Sequence, residues 1–333
     1  MKIGFIGAGG IVKQRHLPGL RKLSNVEIAA VANSSLASAE RFCAELTPEA
    51  EPVERWQDLV VRPDLDAVWV GATPYLHEPA TLAALAAGKH VFCQARMARN
   101  LGEAINMHAA ATARPHLVTM LCPPPMGLRS DAFIKQLLAQ HVVGKIRHLH
   151  LQSLNGAFLD PTQPPHWRQR REISGANILT LGIYTEVLQR WFGDFQVTTV
   201  EEKTATPERD GYQIEIPDAI TVQAKFDIGS TGTLEFSGIH SGQPAERLEI
   251  QGDHGVLTYN FLSEEIRLQR AGQTENDLLE IPSDLVRDWQ VEADFVNAVK
   301  NPEAPRPHPD FTDGLRYMRI VQQVDDLRKK TTR

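Results

Sequence analysis

Gly7-x-Gly9 closes the apolar run KIGFIG and stands ahead of a helical pattern. It is the first place where residue type and spacing suggest chemistry. Glycine at position 7 permits a tight turn, and glycine at position 9 lets the backbone approach a pyrophosphate. The helix behind the turn aims its N-terminal amides and positive dipole end at that charge, with Gly10 and Ile11 at its start. The third position of this dinucleotide fingerprint is Val12 rather than Gly or Ala, so a branched side chain must fit between helix and strand. The second strand-like run, VEIAAVAN, ends in Asn33-Ser34-Ser35. An acidic residue there would bind a ribose 2′-hydroxyl. Without it a 2′-phosphate is not repelled and hydroxyls can bond to it. The expected cofactor is therefore NADP or NAD, with NADP favoured, although no arginine lies immediately beside the site.

Further along, PPHWRQRREISGAN gathers His166, Trp167, Arg168, Arg170, Arg171 and Asn177. Arginine forks onto carboxylate or phosphate, so an anionic or polyhydroxylated ligand is expected here. His166, Arg168 and Asn177 are the expected substrate contacts, whereas Arg170 and Arg171 read as a solvated charged loop. His148 and His150 alternate on one strand and share a face. No Cys or carboxylate cluster accompanies them, and no metal site is expected. Cys43, Cys93 and Cys122 are far apart and odd in number, which suits reduced, buried thiols.

These residues need elements to hold them. Strand-like runs KIGFIG, VEIAAVAN, LDAVWVGA, GKHVFCQA and HLVTMLC alternate with helical patterns such as SLASAERFCAEL and HEPATLAALAAG. That alternation predicts a parallel sheet, and Gly88 is placed as a helix stop. Pro123-Pro124-Pro125 can continue neither a helix nor a central strand. They divide the chain into an expected dinucleotide-binding domain, 1–122, and a substrate-binding and oligomerisation domain, 123–333. In the second part LRSDAFIKQLLAQHVVG reads as a helix. KIRHLHLQSLNG, AITVQAKFDIG, TGTLEFSGIH, ERLEIQGDHG, VLTYNF and EEIRLQRAG read as strands of a largely antiparallel open sheet. DWQVEADFVNAVK and FTDGLRYMRIVQQVDDLRKK close the chain as helices. The fold class is α/β, an N-terminal Rossmann domain plus a C-terminal α/β domain with a large, mostly antiparallel open sheet.

The 333 residues carry a net charge of −6 and contain no basic run of five or more, which argues against a nucleic-acid partner. No apolar stretch reaches the length of a bilayer span. The N-terminus enters the first strand after a single lysine, so no signal peptide is expected and a cytoplasmic location is.

DAVWVGATPYLHEPATLAALAAGKHVFC and SGANILTLGIYTEVLQRWFG carry a more specific signal. The first resembles the Thr-Pro-x-x-x-His and Gly-Lys-His-Val segment of the Gfo/Idh/MocA oxidoreductases, here Thr73, Pro74, His77, Gly88, Lys89, His90 and Val91. The second is similar to that family's helix at the start of its second domain, with Gly182-Ile183-Tyr184 and Trp191-x-Gly193 matching. The resemblance covers most of the chain. It implies hydride transfer between a nicotinamide and a carbon of a carbohydrate-like substrate, a sugar, polyol or related hydroxy compound. It also implies cofactor contacts from Thr73, His77 and Gln94, and a homodimer or homotetramer built on the open sheet.

An alcohol losing hydride also loses its hydroxyl proton, and a positioned acid/base must take it. Typical members use the lysine of a Glu-Lys-Pro motif, with an Asp and a His or Tyr on the second-domain helix. In this chain those motif positions fall on Gln94, Ala95 and Arg96, and the helix pair falls on Thr180 and Tyr184. Ala95 can exchange no proton. Arg96 offers charge beside a developing alkoxide but is too weak an acid to shuttle protons near neutrality. Tyr184 can serve if a nearby cation lowers its phenol pKa; the competing reading is a hydrogen-bonded core tyrosine. The expected catalytic set is Tyr184, Arg96 and Thr180 in an oxidoreductase with a rebuilt acid/base. The alternative is a non-catalytic regulator that keeps a dinucleotide or sugar pocket, which the loss of both lysine and aspartate would suit.

Overall fold

The computed structural model describes residues 1–331. The described chain divides into two compact units, residues 1–123 with 290–318, and residues 124–289 with 319–331. The first crossing lies one residue from the expected boundary. The single expected cut omits the return of 290–318 to the first unit. Two contacts anchor that return: the Met97 amide donates to the Tyr317 hydroxyl, and His16 Nδ1 lies 2.6 Å from Glu292 Oε1.

In the first unit, strands β1 (Lys2–Ile6), β2 (Glu27–Ala32), β3 (Glu51–Val53), β4 (Ala67–Val70), β5 (His90–Cys93) and β6 (Thr119–Leu121) form one parallel sheet in the order β3-β2-β1-β4-β5-β6. β4 is buried at all four positions, as a strand covered on both faces requires. Ser35 caps the helix Leu36–Leu46 by accepting from the Ser38 amide at 3.3 Å, and Asn100 caps Leu101–Thr112 in the same way at 3.0 Å. Trp69 and Phe92 stack across β4 and β5 at 3.6 Å, and Phe295 meets both edge-on. Each such buried ring contributes about 1.5–3 kcal/mol. The strand order reverses at β1, so the turns after β1, β2 and β4 gather around one crevice at the carboxyl ends of the strands.

The second unit is built on strands β7 (Ile146–Leu154), β8 (Phe195–Lys203), β11 (Ala219–Phe226), β12 (Thr231–Ser237), β13 (Ala245–Gly252), β14 (Gly255–Asn260), β15 (Ile266–Arg270) and β16 (Asp277–Leu279). A separate two-stranded ribbon, β9 (Glu208–Arg209) and β10 (Tyr212–Gln213), stands between β8 and β11 in the chain. The large sheet runs β16-β15-β14-β13-β7-β12-β11-β8, antiparallel throughout except for the β7–β12 pair. Alternation along the strands sends Leu149, Leu151, Leu234, Phe236, Leu248 and Ile250 into the core. The helix Leu181–Phe192 contributes Val187, Leu188 and Phe192 to the same core. The opposite face is polar: Glu235 accepts from His150 at 3.1 Å and from Gln152 at 2.5 Å, and Arg247 donates to Gln152 at 2.8 Å. Among the described residues no helix is long and apolar enough to cross a membrane.

Candidate active site

The Gly-rich turn has the room a pyrophosphate needs. Gly7 sits at φ +80°, and a Cβ there would lie 2.6 Å from the Ala72 backbone. A Cβ on Gly9 or Gly10 would meet nothing within 4 Å. That open space lies in front of the amides that begin the helix, which have no acceptor within it. The fit around Val12 is resolved by a residue outside the fingerprint. Val12 is fully buried, and its Cγ2 occupies the place a Cβ on Gly71 would take, at 2.6 Å. The glycine that the fingerprint puts on the helix is thus found on the strand-end opposite. Helix geometry there is also unusual, because Val12–His16 forms a π-helical turn.

At the ribose end, Asn33 serves the chain itself. Its Oδ1 accepts from the Ala8 amide at 2.7 Å and its Nδ2 donates to Ser38 O at 3.2 Å. Ser35 is the helix cap. Ser34 is exposed and, among the described residues, makes no side-chain bond to the chain.

The loop after β5 differs from expectation. Gln94 is buried and its amide meets His16 Nε2, while His16 Nδ1–H donates to Glu292. Its side chain therefore points into the interior of this unit, not toward a cofactor. His77 is also fully buried, with Nδ1 2.7 Å from Arg96 O and Nε2 2.9 Å from Ala72 O. Burial pulls its pKa down against the opposing pull of those carbonyls. Both ring nitrogens are engaged by backbone, so His77 clamps the 96–97 loop to the turn after β4 and has no atom left for a ligand. Arg96 is 1% exposed. A guanidinium so nearly covered offers no open surface for the electrostatic role expected of it. Ala95 and Thr73 remain partly accessible.

In the second unit Thr180 and Tyr184 sit one turn apart and bond to the neighbouring central strands β7 and β13. Thr180 Oγ1 lies 2.9 Å from Ser153 Oγ on β7. The Tyr184 hydroxyl donates to Glu246 Oε2 on β13 at 2.7 Å. Phe261 and Phe236 wall the tyrosine ring. Burial, and next the Glu246 carboxylate, push the Tyr184 phenol well above its ordinary range. The lowered pKa on which its acid/base role depended is reversed, and the ring is fully buried. Sequence reasoning missed Glu246, which is partly exposed and holds this tyrosine. Its signal was faint: a glutamate on the inward period of ERLEIQG, in line with Leu248 and Ile250.

The 166–177 loop is locally ordered. His166 caps the short 3-10 turn Trp167–Gln169 by accepting from the Arg168 amide at 3.2 Å, and its own amide donates to Gln169 Oε1 at 3.1 Å. Arg168 stacks on the Trp167 ring at 4.2 Å, and burial alone pulls its pKa down. Asn177 is fully buried and donates to Ser174 O at 2.7 Å, so it braces the loop and does not present an amide to a substrate. Arg171 forms a two-bond pair with Asp325 at 2.9 and 2.6 Å, which corrects its reading as a solvated charge. His148 bonds to Thr231 and His150 to Glu235, each across to β12.

Residues 1–121 match the GFO/IDH/MocA model described as an oxidoreductase family with an NAD-binding Rossmann fold, and residues 132–258 match the GFO/IDH/MocA C-terminal domain. A dTDP-3,4-didehydro-2,6-dideoxy-alpha-D-glucose 3-reductase from Saccharopolyspora spinosa is 25% identical over 77% of this chain and 74% of its own length. Among solved structures, a levoglucosan dehydrogenase in complex with NADH and levoglucosan superposes with a TM-score of 0.86 at 20% identity, covering 99% of this chain and 97% of that one. A 3-ketoreductase from Actinomadura kijaniata, in complex with NADP and TDP-benzene, superposes with a TM-score of 0.79 at 24% identity over 99% and 97%.

Proposed function

The chain belongs to the GFO/IDH/MocA oxidoreductase family, and we propose that it is an NAD(P)-dependent oxidoreductase acting on the CH–OH group of a sugar, polyol or related hydroxy compound. A nicotinamide dinucleotide fits the open cradle at Gly9 and Gly10. The Gly7–Ile11 turn would hold its pyrophosphate and Ser34 its adenosine ribose. When bound, it supplies the hydride acceptor or donor. Of the similar proteins named above, one is a reductase of a dTDP-linked dideoxy sugar, one was crystallised with NADH and levoglucosan, and one with NADP and TDP-benzene. That supports the substrate class and both cofactors.

The observation that carries the enzymatic reading is the Tyr184–Glu246 pair. A raised phenol pKa keeps Tyr184 protonated, so its hydroxyl donates to Glu246 Oε2 and fixes that carboxylate in place. The other carboxylate oxygen then takes the proton of the substrate hydroxyl as hydride leaves its carbon, and returns it in the reductive direction. Tyr184 acts through Glu246 as a positioning residue and does not itself titrate. Thr180, hydrogen-bonded to Ser153 and partly accessible, orients a hydroxyl of the substrate.

We further propose that the polar face of the large sheet joins copies of the chain into a homodimer or homotetramer, as the family resemblance implies. Absorbance at 340 nm, followed with a panel of sugars, polyols and sugar acids and with both cofactors, tests the function. Turnover of at least one substrate is expected. Tight cofactor binding with no turnover of any of them would favour the regulator instead.

A further inference from the structure

The 158–169 loop is held more firmly than a solvated connection requires. Arg209, 2% exposed, donates to three carbonyls of the loop: Phe158 O at 2.7 Å, Asp160 O at 2.6 Å and Gln163 O at 3.4 Å. Asp218, fully buried, accepts from Gln169 Nε2 at 2.8 Å and from the Ala205 amide at 2.8 Å. Gln169 in turn closes the capping box with His166. A buried guanidinium and a buried carboxylate thus fix the two ends of a short segment. What the segment displays is Trp167 and Arg168.

The three arginines of the loop are not equivalent. Arg171 is paired with Asp325 and Arg170 lies 3.9 Å from Glu172. Arg168 has neither an ion pair nor a side-chain hydrogen bond among the described residues, and its guanidinium is laid over an indole. Stacking removes rotamer freedom from the fork without using any of its N–H donors. A planar, pre-oriented fork matches two oxygens of one carboxylate or phosphate, and an ammonium would not reproduce that geometry.

We infer that Arg168, stacked on Trp167, receives an anionic group of the substrate, so that the chain acts on a sugar acid or a phosphorylated sugar in preference to a neutral sugar. This deepens the oxidoreductase reading and rests on it only for calling the bound molecule a substrate; binding itself does not require turnover. Trp167 adds an apolar face on which sugar C–H groups stack, and the exposed His166 lies beside it, its ring 5.6 Å from the indole.

Calorimetric titration of glucose, glucuronate and glucose 6-phosphate into the cofactor-loaded protein tests the inference. At least one of the two anions is expected to bind tenfold or more tightly than glucose, and which one does so separates carboxylate from phosphate recognition. Arg168→Gln should reduce the preference to threefold or less, while Arg168→Lys keeps part of it, with thermal unfolding confirming that both variants fold. Equal affinities in the wild-type protein would overturn the inference, as would a preference that survives in Arg168→Gln. So would a variant that weakens cofactor binding alone, since the fork would then serve the cofactor phosphates. An anion preference with no turnover of any substrate would uphold the anion site while defeating the oxidoreductase reading.

Discussion

Replacing Asp218 with asparagine should cost the second unit about 2–4 kcal/mol, and the amount follows from its three bonds. Asp218 Oδ2 accepts from the Ala205 and Thr206 amides at 2.8 and 3.4 Å, and Oδ1 accepts from Gln169 Nε2 at 2.8 Å. An asparagine that keeps its oxygen toward the two amides turns its NH2 group against the NH2 of Gln169. Flipping the Gln169 amide relieves that clash but turns its NH2 toward the His166 amide, which Gln169 Oε1 now accepts at 3.1 Å. Either way one buried donor faces another. An unsatisfied buried donor costs roughly 1–3 kcal/mol, and losing the charge on the remaining bonds adds about 1 kcal/mol. Urea unfolding of Asp218→Asn, Gln169→Ala and the double variant measures this. The double variant should be less destabilised than the sum of the singles by at least about 1 kcal/mol, because removing the Gln169 amide removes the clash. A loss under about 0.5 kcal/mol for Asp218→Asn, or strict additivity, would refute the reasoning.

Acid should loosen the second unit through Asp325. Burial pushes this carboxyl up, but Arg171, Lys329 and Arg328 outweigh it and hold the folded pKa below the ordinary range. Its stabilisation is therefore present above the unfolded value of about 3.9 and lost as pH falls toward the folded one. Asp325→Asn should flatten that acid dependence and cost about 1–3 kcal/mol at neutral pH, because the partly exposed Arg171 and Lys329 lose their carboxylate while the buried Arg328 keeps Glu202, which unfolding curves from pH 7 to pH 3 would show. Gly71→Ala places a Cβ 2.6 Å from both Gly7 O and Val12 Cγ2, so it should deform the pyrophosphate turn. Fluorescence titration should give at least tenfold weaker binding of NADH and NADPH, and a change under twofold would count against the cradle. Ser34→Asp should shift the ratio of NADPH to NADH affinity toward NADH by tenfold or more, because a carboxylate repels the 2′-phosphate and accepts from the 2′-hydroxyl. An unchanged ratio would mean that Ser34 does not face the ribose.

Much of the fold was legible because its signals are local. The continuous apolar runs of β1, β4 and β5 and the alternation along β7, β11 and β12 each report their own environment. β8 was not legible, since its positions follow no strict inward and outward period at the sheet edge. β3 has three residues, too few to show any period. The return of 290–318 to the first unit was hidden for a different reason. It depends on His16 meeting Glu292, 276 residues away, and no local pattern records such a pairing.

The site divides in the same manner. The Gly7–Gly9 turn is a contiguous motif, and Gly7 takes the positive φ that a tight turn there needs. The residues that position chemistry are not contiguous: Gly71 makes room for Val12, Glu246 holds Tyr184, and Asp218 holds Gln169. In each case a residue whose own neighbourhood looks ordinary sets the behaviour of one that looks functional. Gln94, His77 and Asn177 show the converse. They read as ligand contacts, yet each is buried and bonded within its own unit.

Glu246 is the group proposed to exchange the substrate proton. Its direct test is kcat for hydride transfer by Glu246→Gln, followed at 340 nm across pH 5 to 10 on the best substrate of the panel. The side chain keeps its size and can still accept from Tyr184. A loss of about 10²–10⁴-fold at every pH is predicted, with cofactor affinity retained. A variant within threefold of wild type would contradict that role and return the search for the proton acceptor to other residues.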